Sequence, residues 1–138
     1  MQKKYFILAA CCVLLFGGIA WALYLYNKPH ANVARLRPAF RLDARDLYGE
    51  YRRDEAGANH KFTGKVIEVK GTVSDRQLTD STASIQLNTG YPEATVNCSF
   101  LVTGHPKINF PPKGSSVTIK GRCAGFLADI SLVDCVIE

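Results

Sequence analysis

The sequence contains no CxxC, no HExxH and no histidine pair at ligand spacing. Its three histidines, His30, His60 and His105, are far apart. No glycine-rich phosphate loop follows a strand-like run. These gaps exclude the common zinc centres and nucleoside-triphosphate chemistry. No thiol or hydroxyl has a recognisable base beside it in the pattern. The expectation is therefore a chain that is not an enzyme, with no catalytic residue, no metal site and no cofactor.

A second absence is local. From Tyr5 to Tyr26, 22 consecutive residues include no Asp, Glu, Lys, Arg, His, Asn or Gln. As a helix this run would measure roughly 33 Å, enough for a hydrocarbon layer of about 30 Å. Tyr5 and Phe6 at one end, and Trp21, Tyr24 and Tyr26 at the other, suit the headgroup zones. Residues 1–26 thus read as a signal anchor that stays in the membrane as a single-pass transmembrane helix. Leu8-Ala9-Ala10-Cys11 has the spacing of a lipoprotein box, which gives the alternative of a lipid on Cys11. Against it, only six apolar residues precede Cys11, while the apolar run continues for 15 more. Lys3 and Lys4 before the span favour an exported, periplasmic C-terminal domain. The five basic residues from Lys28 to Arg45 favour the cytoplasmic face instead. Export is the preferred reading because a large translocating domain weakens the charge rule.

Residues 27–42 have two prolines and no clear period, and read as a basic juxtamembrane linker. A domain of residues 43–138 follows. Asp43 and Asp46 resemble a capping box. Ala44, Leu47, Tyr48, Tyr51 and Ala58 then recur at helical spacing, predicting one helix over about 44–59.

From Lys61 onward the period changes to two. Strands are expected over 65–74, around Ala83-x-Ile85-x-Leu87, through Ala94-x-Val96-x-Cys98-x-Phe100, from Val117 to Cys123, and over 130–137. Gly71 in the first strand marks a bend or bulge. Asp75–Thr82 reads as a polar connection, and Asn88–Pro92 as a turn. Five strands with a long first strand, a wide gap after the third and a closing hairpin have the spacing of an OB-fold. The fold class is therefore all-β with one preceding helix: a five-stranded OB-fold Greek-key barrel, plus the N-terminal transmembrane helix. An SH3-like barrel is the runner-up.

Particular stretches carry a family likeness. They are Asp54-Glu55-Ala56-x-Ala58-Asn59, Gly64-Lys65-Val66-Ile67-Glu68-Val69-x-Gly71-x-Val73 and Val96-x-Cys98-Ser99-Phe100. Val117-x-Ile119-x-Gly121-x-Cys123-x-Gly125-Phe126 and Leu132-x-x-Cys135 follow. In these residues the chain resembles a bacterial family of membrane-anchored OB-fold proteins related to tRNA-anticodon-binding domains. The resemblance implies the fold and topology. It does not imply a ligand, since one fold hosts many functions.

The formal charge of +5 suggests nucleic acid, but its distribution does not. Residues 61–138 hold eight basic and seven acidic side chains, a net of +1. A phosphate-tracking groove needs its basic excess on the barrel, and a stacking platform needs aromatics there. The outward residues of the second and third strands are Ser84, Gln86, Asn88, Thr95, Asn97 and Ser99, none of them aromatic. Such a face suits sugar hydroxyls or peptide backbone. The candidate binding residues are Gln86, Asn97 and Ser99 on this face, with Arg76 and Tyr91 from the adjoining loops. The expected partners are the membrane, through residues 5–26, and a protein segment, glycan or small molecule. Single-stranded nucleic acid is the alternative. Lys70, Lys120 and Arg122 read as a solvated charge cluster. Cys123 and Cys135 lie on the closing hairpin and form a candidate disulfide if the domain is exported, which leaves Cys98 free. One residue of register decides whether they share a face.

Overall fold

The computed structural model describes residues 2–26, 32–79, 82–101 and 109–138, with the α1 side chains described from Cys12 to Leu25. Linker residues 27–31, Asp80, His105 and the side chain of Cys11 lie outside the described residues. The chain divides into two compact units, 1–31 and 32–138.

The first unit is one unbroken helix, α1 (Gln2–Tyr26). Its described large apolar side chains are exposed, with Leu14 at 76%, Phe16 at 73% and Trp21 at 70%. Among the described residues no helix is long and apolar enough to cross a membrane. The transmembrane span expected over residues 1–26 is therefore not shown by these residues.

The second unit contains β1 (Phe40–Asp43), α2 (Ala44–Arg53), α3 (Glu55–Phe62), β2 (Val66–Leu78), β3 (Thr82–Asn88), β4 (Thr95–Leu101), β5 (Ser116–Phe126) and β6 (Ile130–Ile137). The sheet order is β1-β2-β3-β4-β6-β5, and β2 also pairs with β5. That last pairing closes a five-stranded barrel of the OB-fold order, with β1 as an added sixth strand. The expected linker is thus structured from residue 32 onward. Phe40 and Leu42 alternate with Arg41 and Asp43, so β1 lies parallel to β2 between Ile67 and Lys70. The Phe40 ring meets Phe62 edge-on at 5.2 Å. Upstream, Val33 is buried, and the Lys120 ammonium donates to the Ala34 carbonyl at 3.2 Å. Lys120 is 7% exposed and ion-paired with Glu138, so it pins this segment to the barrel and is not part of a solvated cluster.

The expected single helix is two. Asp54 adopts an extended backbone and its carboxylate accepts the Gly57 N–H at 3.0 Å, which starts α3 as α2 ends. Asp43 is the last residue of β1, and its side chain makes no capping hydrogen bond. Leu47, Tyr51 and Phe62 from these helices pack into the same core as Ile67, Val69, Ile85 and Leu87.

The first barrel strand runs four residues past its expected end, to Leu78, because a bulge follows Val73. The bulge residue Ser74 donates its hydroxyl to the Gln86 carbonyl at 3.1 Å. Gly71 itself is not the bulge. A Cβ there would stand 3.1 Å from the Cβ atoms of both Ala44 and Leu87. Glycine thus allows α2 and β3 to approach β2 together. Gly71→Val should lower stability by about 1–3 kcal/mol through overpacking, read by urea unfolding followed by circular dichroism. An unchanged midpoint would show that this approach is not tight.

Candidate functional site

Alternation on β3 and β4 sends Ile85, Leu87, Val96, Cys98 and Phe100 inward. The polar residues between them form ladder pairs on the outer side: Ser84 opposite Ser99, Gln86 opposite Asn97, and Asn88 opposite Thr95. The row extends in both directions. Gln86 is in register with Asp75 on β2, and Asn97 with Ser131 on β6. Ser84, Gln86, Asn97, Ser99 and Ser131 are all half-buried.

Their hydrogen bonding distinguishes this row. Several other polar side chains of the barrel are engaged, although among the described residues half-buried Thr118 and Arg122 on β5 are not. Asp129 accepts from the Thr95 N–H at 2.6 Å and from its hydroxyl at 3.0 Å. Buried Thr89 donates to the Ala94 carbonyl at 2.7 Å, and Ser115 donates to the Pro112 carbonyl at 2.6 Å. Among the described residues, no side-chain hydrogen bond is made by Ser84, Gln86, Asn97, Ser99 or Ser131. The Asn97 Oδ1 is buried and has no partner. Leaving such groups unpaired in a half-buried position is costly unless water or a ligand meets them.

The structure brings together three of the five expected site residues: Gln86, Asn97 and Ser99. Arg76 and Tyr91 stand apart from them. The bulge at Ser74 shifts the phase of β2, so Arg76 is in register with inward Ile85. Its guanidinium donates to the Phe110 carbonyl at 3.4 Å. Tyr91 turns toward α2, with its ring 5.3 Å from Tyr48 and 4.9 Å from the Arg52 guanidinium carbon. The Arg45 guanidinium carbon is 6.0 Å from the same ring. Ser131 belongs to the row and was missed. Its outward phase in Ile-Ser-Leu was visible, but its neighbour Asn97 depends on the parallel β4–β6 pairing.

Cys123 and Cys135 are free thiols rather than a disulfide. Cys123 stands opposite Leu132, and its sulfur lies 3.5 Å from the Tyr51 hydroxyl. Cys135 lies beyond a β6 irregularity at Asp134, whose φ is +53°. Its thiol is within hydrogen-bonding reach of Cys98. That contact and burial hold the Cys98 thiol well above its ordinary range, which makes it a poor nucleophile. Burial first, and then the Cys123 contact, push the Tyr51 phenol up.

A smaller cleft of about 310 Å³ lies between β1 and β2, lined by Arg41, Asp43, Asp46, Glu68 and Lys70. Arg41 pairs with Glu68 there at 3.1 Å. Among the described residues no group of three His, Cys, Asp or Glu could hold a metal ion.

The tRNA_anti-like family model matches residues 1–137. The chain belongs to the tRNA_anti-like family. No curated protein matches it. Among solved structures it is similar to a Klebsiella pneumoniae protein provisionally described as a nucleic acid-binding lipoprotein. The TM-score is 0.58 at 15% identity, over 80% of this chain and 99% of that one. It also aligns with Entamoeba histolytica asparaginyl-tRNA synthetase at a TM-score of 0.46 and 14% identity, over 73% of this chain and 24% of the synthetase. At these identities the likeness to the Klebsiella protein concerns the fold.

If the row is free of structural duty, Gln86→Ala and Asn97→Ala should each leave stability within about 0.5 kcal/mol of the parent in urea unfolding. A loss above about 1 kcal/mol would reveal a hydrogen bond made within the protein.

Proposed function

We propose that this chain is a non-catalytic OB-fold binding module held at a membrane by α1. Its ligand would be engaged by the outer face of β3 and β4. One observation carries this reading: a continuous half-buried row of amides and hydroxyls has no side-chain hydrogen bond among the described residues, and the Asn97 Oδ1 within it is buried without a partner. The β3–β4 face carries no charged side chain, and Asp75, which borders it on β2, disfavours an anion, so the fitting ligand presents neutral hydrogen-bonding groups, as a glycan, a peptide backbone or a small molecule does.

The membrane part rests on the 22-residue run without Asp, Glu, Lys, Arg, His, Asn or Gln and on the unbroken helix that contains it. Helices of this kind satisfy their own backbone and need no partner in lipid. Residues 5–26 would span the bilayer and the barrel would face the periplasm. The likeness to a protein described as a lipoprotein supports the alternative, attachment through Cys11. In bacteria expressing C-terminal fusions, alkaline phosphatase should be active and green fluorescent protein dark. The reverse pattern would place the barrel in the cytoplasm and contradict export. A Cys11→Ser chain that stays with membranes after alkaline carbonate extraction would support the helix over the lipid.

A second reading, binding of single-stranded nucleic acid, is supported by the family and by the cluster on α2. Arg45 and Arg52 flank the Tyr91 ring, and neither has a carboxylate partner among the described residues. A guanidinium stacked on a ring keeps its in-plane N–H donors for a phosphate. If this reading holds, oligothymidylate should bind with a steep salt dependence, and Arg45→Gln with Arg52→Gln should reduce the slope by about 2. The neutral reading expects no measurable binding at physiological salt.

A further inference from the structure

The polar row does not stop at β6. Ser131 is also part of a cavity of about 570 Å³ at the β5–β6 turn, together with Asn59, Thr63, Gly125, Phe126 and Leu127. This is within the range of about 300–1,000 Å³ of small-molecule sites. We infer that the cavity binds one neutral sugar ring and that the adjoining row holds the rest of an oligosaccharide. The inference rests on the reading of the β3–β4 face as the ligand side, and adds to it a ligand class and residues outside that face.

The lining specifies the chemistry. None of its residues carries a charge, so a phosphate or carboxylate entering it would lose hydration without gaining a counter-charge. The apolar part is Phe126 and Leu127. Phe126 is held from one side by Tyr51 at 5.5 Å and Tyr48 at 6.1 Å between ring centroids. Leu127 is 96% exposed at the lip, an apolar side chain that the C–H face of a sugar would cover.

The polar part is pre-set. Asn59 Oδ1 accepts the Thr63 hydroxyl at 3.3 Å, which fixes the amide and leaves both Asn59 N–H donors for a ligand. The Ser131 hydroxyl has no partner among the described residues and can donate or accept. Gly125 keeps the space between these groups open. Its φ is +110°, and a Cβ there would stand 3.3 Å from Asn59 Oδ1. Donors and acceptors beside apolar side chains match a pyranose, whose hydroxyls lie at its edge and whose faces are C–H.

Continuity sets the length. Ser131 is in register with Asn97, and Asn97 is opposite Gln86. Successive sugars leaving the cavity would meet one free amide per strand.

The test is saturation-transfer NMR on the full chain in lipid nanodiscs, with empty nanodiscs as the blank. The probes are chitotetraose, cellotetraose and maltotetraose at millimolar concentration. At least one should receive saturation at its ring protons. Asn59→Ala combined with Ser131→Ala should weaken its binding about tenfold, and Leu127→Ala should reduce the transfer. No transfer to any of the three overturns the sugar assignment, as does a signal that the Asn59/Ser131 pair leaves unchanged. Should Gln86→Ala with Asn97→Ala abolish the signal while the cavity variants do not, the cavity assignment fails and the face reading survives. Oligothymidylate that binds and is lost in the cavity variants would assign the cavity to nucleic acid and overturn the sugar.

Discussion

Barrel closure through β2 is the constraint on which the rest of the domain depends. One strand pairs in parallel with β1, antiparallel with β5 along its first half and antiparallel with β3 along its second. It can do so only if it bends without colliding with α2 and β3. Gly71 removes the side chain where those elements meet, and the bulge at Ser74 supplies the change of direction. The registers of β3, β4 and β6 follow from this closure. They determine that Gln86, Asn97 and Ser131 share one row while Arg76 leaves it.

The domain is satisfied almost everywhere that polar groups are buried. Thr89 anchors its turn, Asp129 caps β4, Asp54 caps α3, and Lys120 holds the segment before β1 against the barrel. Against that background, the Asn97 Oδ1 is a buried acceptor without a partner among the described residues, and it lies within a continuous band of unengaged amides and hydroxyls. Cys98, Cys123 and Cys135 are buried among core residues, with the Cys123 sulfur against the Tyr51 hydroxyl and the Cys135 thiol against Cys98.

Much of this was legible in the sequence. Alternation located the five barrel strands and the inward positions of β3, β4 and β5, because apolar burial on one face imposes a period of two. It also placed Gln86, Asn97 and Ser99 outward. What escaped were features created by contacts distant in sequence. β1 is four residues long and pairs with Ile67–Lys70, so Phe40, Arg41 and Leu42 looked like linker and Asp43 like a helix cap. Arg76, expected in a loop, is part of the extended β2, where the bulge sets it opposite Ile85. Tyr91 was drawn to α2 by Tyr48 and Arg52, which no local pattern announces. Cys123 and Cys135 lie on neighbouring strands, but the irregularity at Asp134 prevents the pairing that their positions suggested. Lys120 alternates as an outward residue, yet it is buried and held by the Ala34 carbonyl and the Glu138 carboxylate.

The central claim is that the β3–β4 face keeps its hydrogen-bonding groups free for a ligand. The most direct measurement is the exchange with water of the Gln86 and Asn97 side-chain amide protons in the full chain, followed by NMR without ligand. Free amides should exchange as fast as those of an unstructured peptide. Protection comparable to that of the backbone amides of β4 would mean that the fold already uses these groups, and would contradict the account.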